Sequence, residues 1–444
     1  MTTAQIPRLA PAEVLRFAAD PFTGMLRAQR VHGDVVEVGY GPQRSTFLFG
    51  PEANSFVFAN PQLFSWRDSF EVMLPVLGES ALLVSDGEGH RRRRHLVLPA
   101  FHRRRIEDYV RLMASNTAAT VDRWETGRRV DLYRELRAVI RRNTVESLYG
   151  SRLAAQNDAI GARLQIALDA TDLPLGLQLF LARFPNPLTA RAKRARRWVA
   201  ERIQTEIEHR RRHAEPDGDG LGALLAAADG ERCPLDDGEI QDQVISLIVA
   251  GYETTSAAMA WVVHAALSTP GVWERARKSV TELLGDAPVT VEALEELEYV
   301  DGVVQEALRL HPPVVVLPRV TAQDIEFADH RLPAGTRLAI SPYVTHRMPR
   351  IWPEPSRFVP ERWRSGHRLH REATPAGFLP FGGGRHRCIG APFATAELKT
   401  ILVELLRRTE LTPSAPVTPV SIMAMRPRRG VPVVVRRRKA GSHA

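Results

Sequence analysis

A glycine-rich loop that ends in a cysteine is the segment of this sequence best equipped for chemistry. It reads FLPFGGGRHRCIGAPFA, from Phe378 to Ala394, and Cys388 is one of only two cysteines in 444 residues. A phosphate-binding loop would need a Gly-Lys-Ser/Thr ending, a dinucleotide fingerprint would need glycine where Arg387 stands, and structural zinc would need more cysteine and histidine nearby. Two interpretations remain: a nucleophilic thiol with a pKa lowered at a helix N-terminus, and a thiolate that binds a metal.

The neighbouring residues favour the metal thiolate. Glycine lacks a Cβ, so the backbone can approach a flat ligand closely. A helix is predicted to begin after Cys388, with Pro392 in its first turn, where no N–H donor is needed. Free N–H groups at a helix start stabilise an anionic sulfur, and His386 and Arg387 add groups that bind anions. An iron macrocycle that carries carboxylates would use all of these features together.

The segment FGGGRHRCIG resembles the haem-binding signature of the cytochrome P450 family. The resemblance implies heme b with Cys388 as its thiolate ligand. It also implies that Phe381, Gly382, Gly390 and His386 bind the cofactor. His386 stands where many members of the family have arginine, although histidine is also found at this position.

A second pair of charged residues, Glu306 and Arg309 in EALR, lies three positions apart and therefore on one face of a helix. Taken alone, such a pair is most often a surface ion pair that contributes little. The surroundings are apolar, however, and the stretch resembles the ExxR motif of the same family, which an arginine from a later PERF-like segment joins. Here FVPERW supplies Arg362, with Trp363 in place of the usual phenylalanine. The resemblance implies a buried triad that holds the cysteine loop in place and takes no part in the chemistry.

The segment AGYETT, Ala250 to Thr255, lies half-way along the longest predicted helix. Polar residues tolerated within a buried helix would be its plainest interpretation. Gly251, though, weakens a helix by about 1 kcal/mol relative to alanine, and a threonine can open the backbone ladder locally. The stretch resembles the oxygen-binding groove of the family. This implies that Ala250 contacts the cofactor and that Glu253 and Thr254 are the catalytic acid–alcohol pair that governs proton delivery.

A run of basic residues in DGEGHRRRRHLVLPAF carries His90 and Arg94, four positions apart and hence on one helical face. A solvent-exposed basic turn would explain Arg91–Arg93, but it explains His90 and Arg94 less well. The corresponding helix of the family carries two haem-propionate contacts, Arg319 in VVVLPRVT matches a third, and His386 is the fourth. Two haem carboxylates need such charge-assisted donors. Arg91–Arg93 are expected to contribute to a basic docking patch on the cysteine side of the haem.

Composition restricts the class of protein. With 44% hydrophobic residues the chain can bury a sizeable core, and two cysteines cannot make a disulfide framework. Cys233, in GERCPLDDG, has no partner motif and is interpreted as an incidental loop thiol. There is no signal-peptide pattern, and no run reaches the roughly 18 apolar residues of a spanning helix, so a cytoplasmic protein without a membrane anchor is expected. The net charge of +9 is spread along the chain, which argues against nucleic acid as a partner.

Periodicity predicts the elements that must position these residues. Val35–Gly50 is predicted to form a β-hairpin around a Gly/Pro turn, and most of residues 100–310 has a helical pattern. Glu239–Pro270 is the longest predicted helix; it is apolar nearly all round and is therefore expected to cross the interior. Tyr299–Pro313 is predicted to be a helix stopped by two prolines, an amphipathic helix follows Cys388, and VPVVVR near the C-terminus is predicted to be a strand.

The expected fold class is mainly α with small β-sheets that are fed from both ends of the chain. The resemblance implies the cytochrome P450 fold, as a single large domain over residues 1–444. Haem is then expected between the long central helix and the helix that follows the cysteine loop. A β-rich lobe is expected from residues 31–60 and 314–345, with the helical lobe formed by the remainder.

The resemblance implies a monooxygenase that inserts one oxygen atom of O2 into a hydrophobic small molecule, by hydroxylation or epoxidation. The chain has no flavin or iron–sulfur motif, so a separate ferredoxin with its reductase is the expected electron source. Segments that match the family's pocket walls are apolar and suit a terpenoid, steroid, fatty acid or polyketide-like substrate; they include Val249, Val314, Val316, Ile422 and Met423. Three alternatives stay open: a peroxide-driven enzyme, a rearranging enzyme on the same scaffold, and a non-catalytic haem carrier or sensor.

Overall fold

Helices dominate the structure, a computed structural model that describes residues 5–41, 44–169, 184, 186–213, 219–228, 235–421 and 424–437. The strands form small sheets, so the predicted fold class is confirmed. Cys233 and two of the predicted pocket residues, Ile422 and Met423, lie outside the described residues. The single domain over residues 1–444 stays a prediction.

The helices and strands are numbered along the chain. The helices are α1 Pro11–Ala19, α2 Pro21–His32, α3 Pro51–Ala59, α4 Leu74–Leu77, α5 Gly87–Val97, α6 Arg103–Val121, α7 Leu132–Tyr149, α8 Ser151–Ala154, α9 Asn157–Asp169, α10 Pro187–His213, α11 Gly220–Ala228, α12 Asp237–Ser268, α13 Val272–Leu284, α14 Val291–Glu296, α15 Glu298–Leu310, α16 Pro342–Thr345 and α17 Ala391–Arg408. The strands are β1 Val35–Val38, β2 Ser45–Leu48, β3 Phe64–Ser65, β4 Arg129–Asp131, β5 Leu317–Thr321, β6 Ile325–Phe327, β7 His330–Leu332, β8 Arg337–Ile340, β9 Thr409–Pro413, β10 Pro419–Val420, β11 Arg426–Pro427 and β12 Pro432–Arg437. Short 3-10 turns occupy Pro61–Leu63, Asp68–Met73, Leu82–Val84, Leu98–Phe101, Pro360–Trp363 and Gly384–His386.

The largest sheet has five strands in the order β1-β2-β8-β5-β3. β1 and β2 form the predicted hairpin, with Val35 opposite Leu48. β2 then pairs in parallel with β8, where Thr46 lies beside Leu338, so distant parts of the sequence build one sheet. A second, three-stranded sheet in the order β4-β12-β9 joins residues 129–131 to the strand near the C-terminus.

α12 is the longest described helix, with 32 residues, or about 48 Å at 1.5 Å per residue. Its first turn is capped by Asp236, whose carboxylate accepts a hydrogen bond from the Glu239 N–H. Buried residues occur on every side of the helix because α7, α10, α15 and α17 all pack against it. The predicted helix, Glu239–Pro270, differs from the observed one by two residues at each end.

α15 carries Glu306 and Arg309, and α17 directly follows the cysteine loop. α15 ends at Leu310, and His311 has left the helical conformation because a residue before proline is driven away from it. α17 begins at Ala391, just after Cys388, with Pro392 in its first turn as predicted. The two helices also contact each other, which ties the positions of their motifs together.

The buried apolar side chains form one large cluster among the helices and two smaller ones around the five-stranded sheet. Alternate residues of β1 and β2 face opposite sides of the sheet. Val36 and Phe47 pack with α2, whereas Val35 and Leu48 pack with α3. Within the described ranges, no helix has both the length and the apolar character that a membrane crossing requires.

Candidate functional site

The cysteine loop, residues 378–390, leads from a tight turn to the start of α17. Gly382 and Gly384 have φ of 66° and 63°, a left-handed conformation that favours glycine. The Cys388 N–H donates a hydrogen bond to the Phe381 carbonyl at 2.9 Å, so the loop closes on itself. The side chain of Cys388 can be reached by solvent, whereas much of α17 behind it is buried. The loop thus presents its thiol just ahead of a helix.

Two of the three consecutive glycines are required by packing within the protein itself. A Cβ on Gly383 would lie 2.5 Å from the ring of Phe58, and one on Gly384 would lie 2.8 Å from the Phe58 carbonyl oxygen. Phe58 belongs to α3, so these glycines allow α3 to pack on the loop, a requirement that the sequence did not reveal. Gly382 and Gly390 have more room, since the nearest atoms to a Cβ lie at 4.0 and 3.6 Å. The predicted approach to a flat ligand therefore concerns Gly382 and Gly390.

The thiol of Cys388 is influenced by both burial and charge. Cys388 is exposed as a residue, but its thiol is surrounded by protein atoms, and this burial raises the pKa of the thiol. A hydrogen bond from the Gly390 N–H and the charges of Arg94 and Arg387 act in the opposite direction, but burial outweighs them. The net raised pKa disfavours an activated nucleophile, which needs a lowered one. A bound metal ion would supply the positive charge that stabilises a thiolate here.

Four basic residues converge beside the cysteine loop, and we refer to His90, Arg94, Arg319 and His386 as the basic cluster. The rings of His90 and His386 lie 4.1 Å apart. Arg94 donates from Nη1 to the Arg387 carbonyl at 2.8 Å. His90 and Arg319 are only 4% and 6% exposed, so these are not the solvated charges of a surface turn. The structure brings together all four residues that the sequence singled out.

Trp66 packs against two members of the basic cluster, His386 and Arg319, and was not found from the sequence. Its ring is parallel to that of His386 at a centroid distance of 4.2 Å, and the guanidinium of Arg319 lies 4.1 Å from its ring centroid. The indole N–H donates to the Leu83 carbonyl, which fixes the ring. Its surrounding sequence, FSWRD, resembles no motif, so only the folded chain shows this role.

Burial and mutual repulsion suppress the charges of the basic cluster. They lower the pKa of His90 to about 4 and that of His386 to about 3, and burial lowers the pKa of Arg319 to about 9. Asp86 lies 3.7 Å from His386, but with so low a pKa this is a contact to a neutral ring and not an ion pair. No carboxylate of the described residues is within ion-pairing distance of Arg319. Arg94 and Arg319 thus form no ion pair within the described residues, and the two carboxylates of a haem would give them acidic partners, so the residues present fit that group.

The predicted triad is assembled and fully buried. Glu306, Arg309 and Arg362 are 0%, 0% and 1% exposed. Arg309 donates from Nε and Nη2 to the two Glu306 oxygens, at 2.8 Å each, and Arg362 donates from Nε at 2.9 Å. The Val359 N–H and the Trp363 indole N–H add bonds of 3.0 and 3.1 Å to the same carboxylate. Trp363 thus contributes a donor that the family's usual phenylalanine cannot, a role that the sequence did not reveal.

Glu253 and Thr254 are adjacent on α12 but contact different neighbours. Glu253 is 9% exposed and accepts hydrogen bonds from Arg137, at 3.1 Å from Nε and also from Nη2, with the Tyr133 hydroxyl at 3.5 Å. Thr254 is half-buried and donates from Oγ1 to the Ala250 carbonyl at 2.7 Å. α12 remains α-helical through this point, so Thr254 does not interrupt the backbone hydrogen bonds of the helix. No hydrogen bond joins the two side chains, and their catalytic pairing stays a prediction.

The predicted pocket residues are distributed over separate parts of the core. Val249 is 4% exposed within the large cluster. Val314 and Val316 are half-buried and pack against the two different clusters that flank the sheet. Ile422 and Met423 lie outside the described residues. The assignment of these five residues to one substrate pocket stays a prediction.

The arginines expected to form a docking patch are largely neutralised by neighbouring acids. Arg92 and Arg93 lie 3.1 and 2.9 Å from the Glu239 carboxylate at the start of α12. Arg91 pairs with Glu88 within α5. Arg92 and Arg93 therefore join α5 to α12, and the docking role expected of Arg91–Arg93 stays a prediction.

Comparisons with known proteins agree with this geometry. The cytochrome P450 family model matches residues 7–434. Cytochrome P450 139 from Mycobacterium tuberculosis is 42% identical over 417 residues, which cover 93% of this chain and 97% of that protein. Cyclooctat-9-en-7-ol 5-monooxygenase from Streptomyces melanosporofaciens is 37% identical over 388 residues, which cover 86% and 83%. The solved structure of a cyanobacterial CYP120A1 with retinoic acid bound matches with a TM-score of 0.86 at 27% identity, over 98% of this chain and 100% of that one. The chain therefore belongs to the cytochrome P450 family, and the enzyme is a haem-thiolate monooxygenase.

Proposed function

We propose that this enzyme binds heme b through the sulfur of Cys388 and inserts one oxygen atom of O2 into a hydrophobic small molecule. The observation that carries the proposal is the basic cluster, which gathers four partly or fully buried basic side chains beside that thiol, the two arginines among them having no ion pair within the described residues. Haem bound through a thiolate supplies the activation of O2. The protein supplies the ligand, the anion-binding groups, the substrate pocket and the proton path.

The residues around the cysteine loop are proposed to bind different parts of the haem. His90, Arg94, Arg319 and His386 hold the haem carboxylates by charge-assisted hydrogen bonds. Phe381, Gly382, Gly390 and Ala250 would contact the haem ring, as the family motifs imply. Arg319 offers the clearest test, because the residue is 6% exposed and forms no ion pair with an acid among the described residues. Arg319→Met should weaken haem retention, measured as faster haem transfer to an acceptor protein; unchanged transfer would contradict this assignment.

Glu253 and Thr254 are proposed to govern proton delivery. Thr254 holds its hydroxyl proton on the Ala250 carbonyl, and Glu253 is kept in place by Arg137, whose side chain is 21% exposed and so reaches toward solvent. Thr254→Ala should lower the fraction of electrons that appear in product, with more peroxide released. Thr255→Ala is the matched control, since its hydroxyl is the next one along the helix. Equal coupling in the parent and in Thr254→Ala would refute the role.

The substrate is proposed to be a terpenoid-like hydrocarbon or alcohol. Segment 70–83 presents half-buried apolar side chains, including Phe70, Val72, Leu74 and Leu83. One relative is named for an oxidation of a cyclic alkenol, and a structural neighbour was solved with retinoic acid bound. Terpenoid alcohols and retinoic acid should displace water from the haem and shift its absorption, whereas fatty acids of equal carbon number should do so less. A stronger response to fatty acids would overturn the substrate class.

A ferredoxin with its reductase is proposed as the electron source, in the cytoplasm. Arg385 and Arg387 in the cysteine loop are exposed and form no ion pair within the described part of the chain, so they can meet an acidic partner. Arg387→Glu should slow reduction by ferredoxin far more than chemical reduction, while leaving substrate affinity unchanged. Arg91→Glu, which removes an arginine already paired with Glu88, is the matched control. Equal slowing in both variants would exclude a specific role for the loop.

The proposal as a whole is tested on the purified protein. The reduced carbon-monoxide adduct should show the red-shifted absorption of a sulfur-bound porphyrin, and Cys388→Ser should abolish that shift. Turnover is then compared with ferredoxin and reductase against peroxide alone. Product with peroxide only would favour the peroxide-driven alternative, product without electrons would favour a rearrangement, and haem binding without either would favour a carrier or sensor.

A further inference from the structure

We propose that His346 is a positioning residue that sets the cysteine loop relative to the buried triad, an inference that rests on Cys388 being the haem ligand. His346 follows α16 and is 0% exposed. Its Nε2 accepts a hydrogen bond from the Leu379 N–H at 2.9 Å, and Leu379 belongs to the cysteine loop. Its Nδ1 lies 3.1 Å from the Arg309 carbonyl at the end of α15. One imidazole therefore joins the triad helix to the loop that carries the thiol.

The bonding partners fix the protonation state of this ring. A backbone N–H can only donate, so Nε2 must be the acceptor and the proton must lie on Nδ1, which donates to the Arg309 carbonyl. Burial and the charges of Arg309 and Arg347 lower the pKa of His346 well below its ordinary value, which keeps the ring neutral. Arg309 in turn donates from Nη1 to the His346 carbonyl at 2.8 Å. The two residues thus hold each other through reciprocal side-chain and backbone bonds.

The triad's own side chains do not bond to the cysteine loop within the described residues. Besides Glu306, Arg309 donates to carbonyls of residues 346, 355 and 357, and Arg362 to those of residues 353 and 354. The predicted role of the triad, to hold the cysteine loop, therefore needs a connecting residue. His346 is the histidine that bonds to both sides.

A short series of backbone bonds leads from His346 to the thiol. The Leu379 carbonyl accepts from the Gly382 N–H at 3.0 Å, and the Phe381 carbonyl accepts from the Cys388 N–H at 2.9 Å. A shift of Leu379 is therefore passed to the turn and then to Cys388. The imidazole also packs 5.2 Å from the ring of Phe378, so a role in packing alone has to be separated from the role in positioning.

Three substitutions in the holoenzyme separate these roles. His346→Phe keeps an aromatic ring and removes both hydrogen bonds. His346→Gln can place an acceptor near the Nε2 position, whereas His346→Asn can place a donor near the Nδ1 position. His311→Phe is the matched control, because His311 directly follows α15, the helix that carries Glu306 and Arg309, and stacks on Trp261 at 4.5 Å without a hydrogen bond from its side chain to the described residues.

The readouts are the red-shifted absorption of the reduced carbon-monoxide adduct, the reduction potential of the iron and the rate of haem loss, with thermal stability measured in parallel. His346→Phe should convert part of the adduct to the unshifted form, move the potential and speed haem loss about tenfold, the factor that corresponds to about 1.4 kcal/mol. His346→Gln should restore these properties more fully than His346→Asn. His311→Phe should lower thermal stability without changing the spectrum or the potential.

The outcomes are decisive in each case. A His346→Phe protein with the parental spectrum, potential and haem loss overturns the inference, even if its thermal stability falls. If His346→Phe does not accumulate, equal spectra of His346→Gln, His346→Asn and the parent overturn it instead. If the parent itself lacks the red-shifted absorption, the haem-thiolate proposal has failed and not the role of His346.

Discussion

Glu397 on α17 gives the most quantitative prediction, because it is a carboxyl group with no charged partner. It is 0% exposed, and its Oε1 accepts one hydrogen bond, from Asn143 at 2.9 Å. Its Oε2 has no hydrogen-bonding partner among the described residues. Burial raises the pKa of Glu397 from 4.5 to about 8, so the folded protein keeps this group protonated at neutral pH. Glu397→Gln should therefore reproduce the neutral side chain that the folded protein already has at this position.

The sign and size of the effect follow from the difference in pKa between the two states of the chain. Below pH 4.5 the carboxyl is protonated whether the chain is folded or unfolded, and Glu397 makes no pH-dependent contribution. Between pH 4.5 and about 8 only the unfolded chain releases the proton, so stability falls by about 1.4 kcal/mol per pH unit. Over that interval the total loss is about 5 kcal/mol. Glu397→Gln removes this loss, and its advantage over the parent should grow steadily toward pH 8.

Urea unfolding of both holoenzymes at several pH values between 5 and 8.5, followed by circular dichroism and haem absorption, checks this. The difference in free energy of unfolding between variant and parent should rise with pH and then level off. Glu404→Gln is the matched control: Glu404 is also buried on α17, but Arg407 and Arg408 lie against it, so its loss should destabilise the protein without that pH-dependent gain. Parallel pH profiles for Glu397→Gln and the parent would refute the reasoning.

Three further predictions concern the surroundings of the site. Trp363→Phe removes the indole donor to the triad glutamate and should lower the free energy of unfolding by about 1–3 kcal/mol; an unchanged urea midpoint would show that this bond is not needed. Asp242→Asn weakens the acceptor of the Ser80 N–H and hydroxyl bonds, at 3.0 and 2.7 Å, and should loosen segment 78–82 so that substrate associates and dissociates faster in stopped-flow spectra; equal rates would contradict this. Gly383→Ala drives a Cβ to 2.5 Å from Phe58 and should cost about 1–3 kcal/mol of stability, seen as a lower melting temperature, whereas a wild-type value would show that α3 can move aside.

The features that the sequence predicted well depend on local spacing. His90 and Arg94 share a helical face because they are four apart, and Glu306 and Arg309 do so because they are three apart. Helix ends were predictable to within a few residues because proline and capping residues act on their immediate neighbours. The hairpin of Val35–Gly50 was likewise visible, since its two strands are separated only by the turn.

What the sequence could not reveal depends on pairs of residues that are distant along the chain. Arg92 and Glu239 are separated by 147 positions, and Arg137 and Glu253 by 116, and neither pair has a local pattern that marks it. These partners add to the interpretation, because Arg92 also joins α5 to α12, and because Glu253, the predicted catalytic acid, has Arg137 as a neighbour. The role of His346 was missed for the same reason, since its bonds reach two segments that are each 33 or more residues away.

The order of strands in the two larger sheets has a consequence for how the chain is made in the cell. β2 pairs with β8, where Thr46 lies beside Leu338, and β4 pairs with β12, where Asp131 lies beside Pro432. In both pairs the second strand is synthesised long after the first. During translation at about 5–20 residues per second, the early strands therefore remain without their partners for tens of seconds. Their open edges can pair with other nascent chains in that time. Slower translation after residue 131 should thus increase misfolding, whereas chaperones that cover the early strands should raise the yield of folded enzyme.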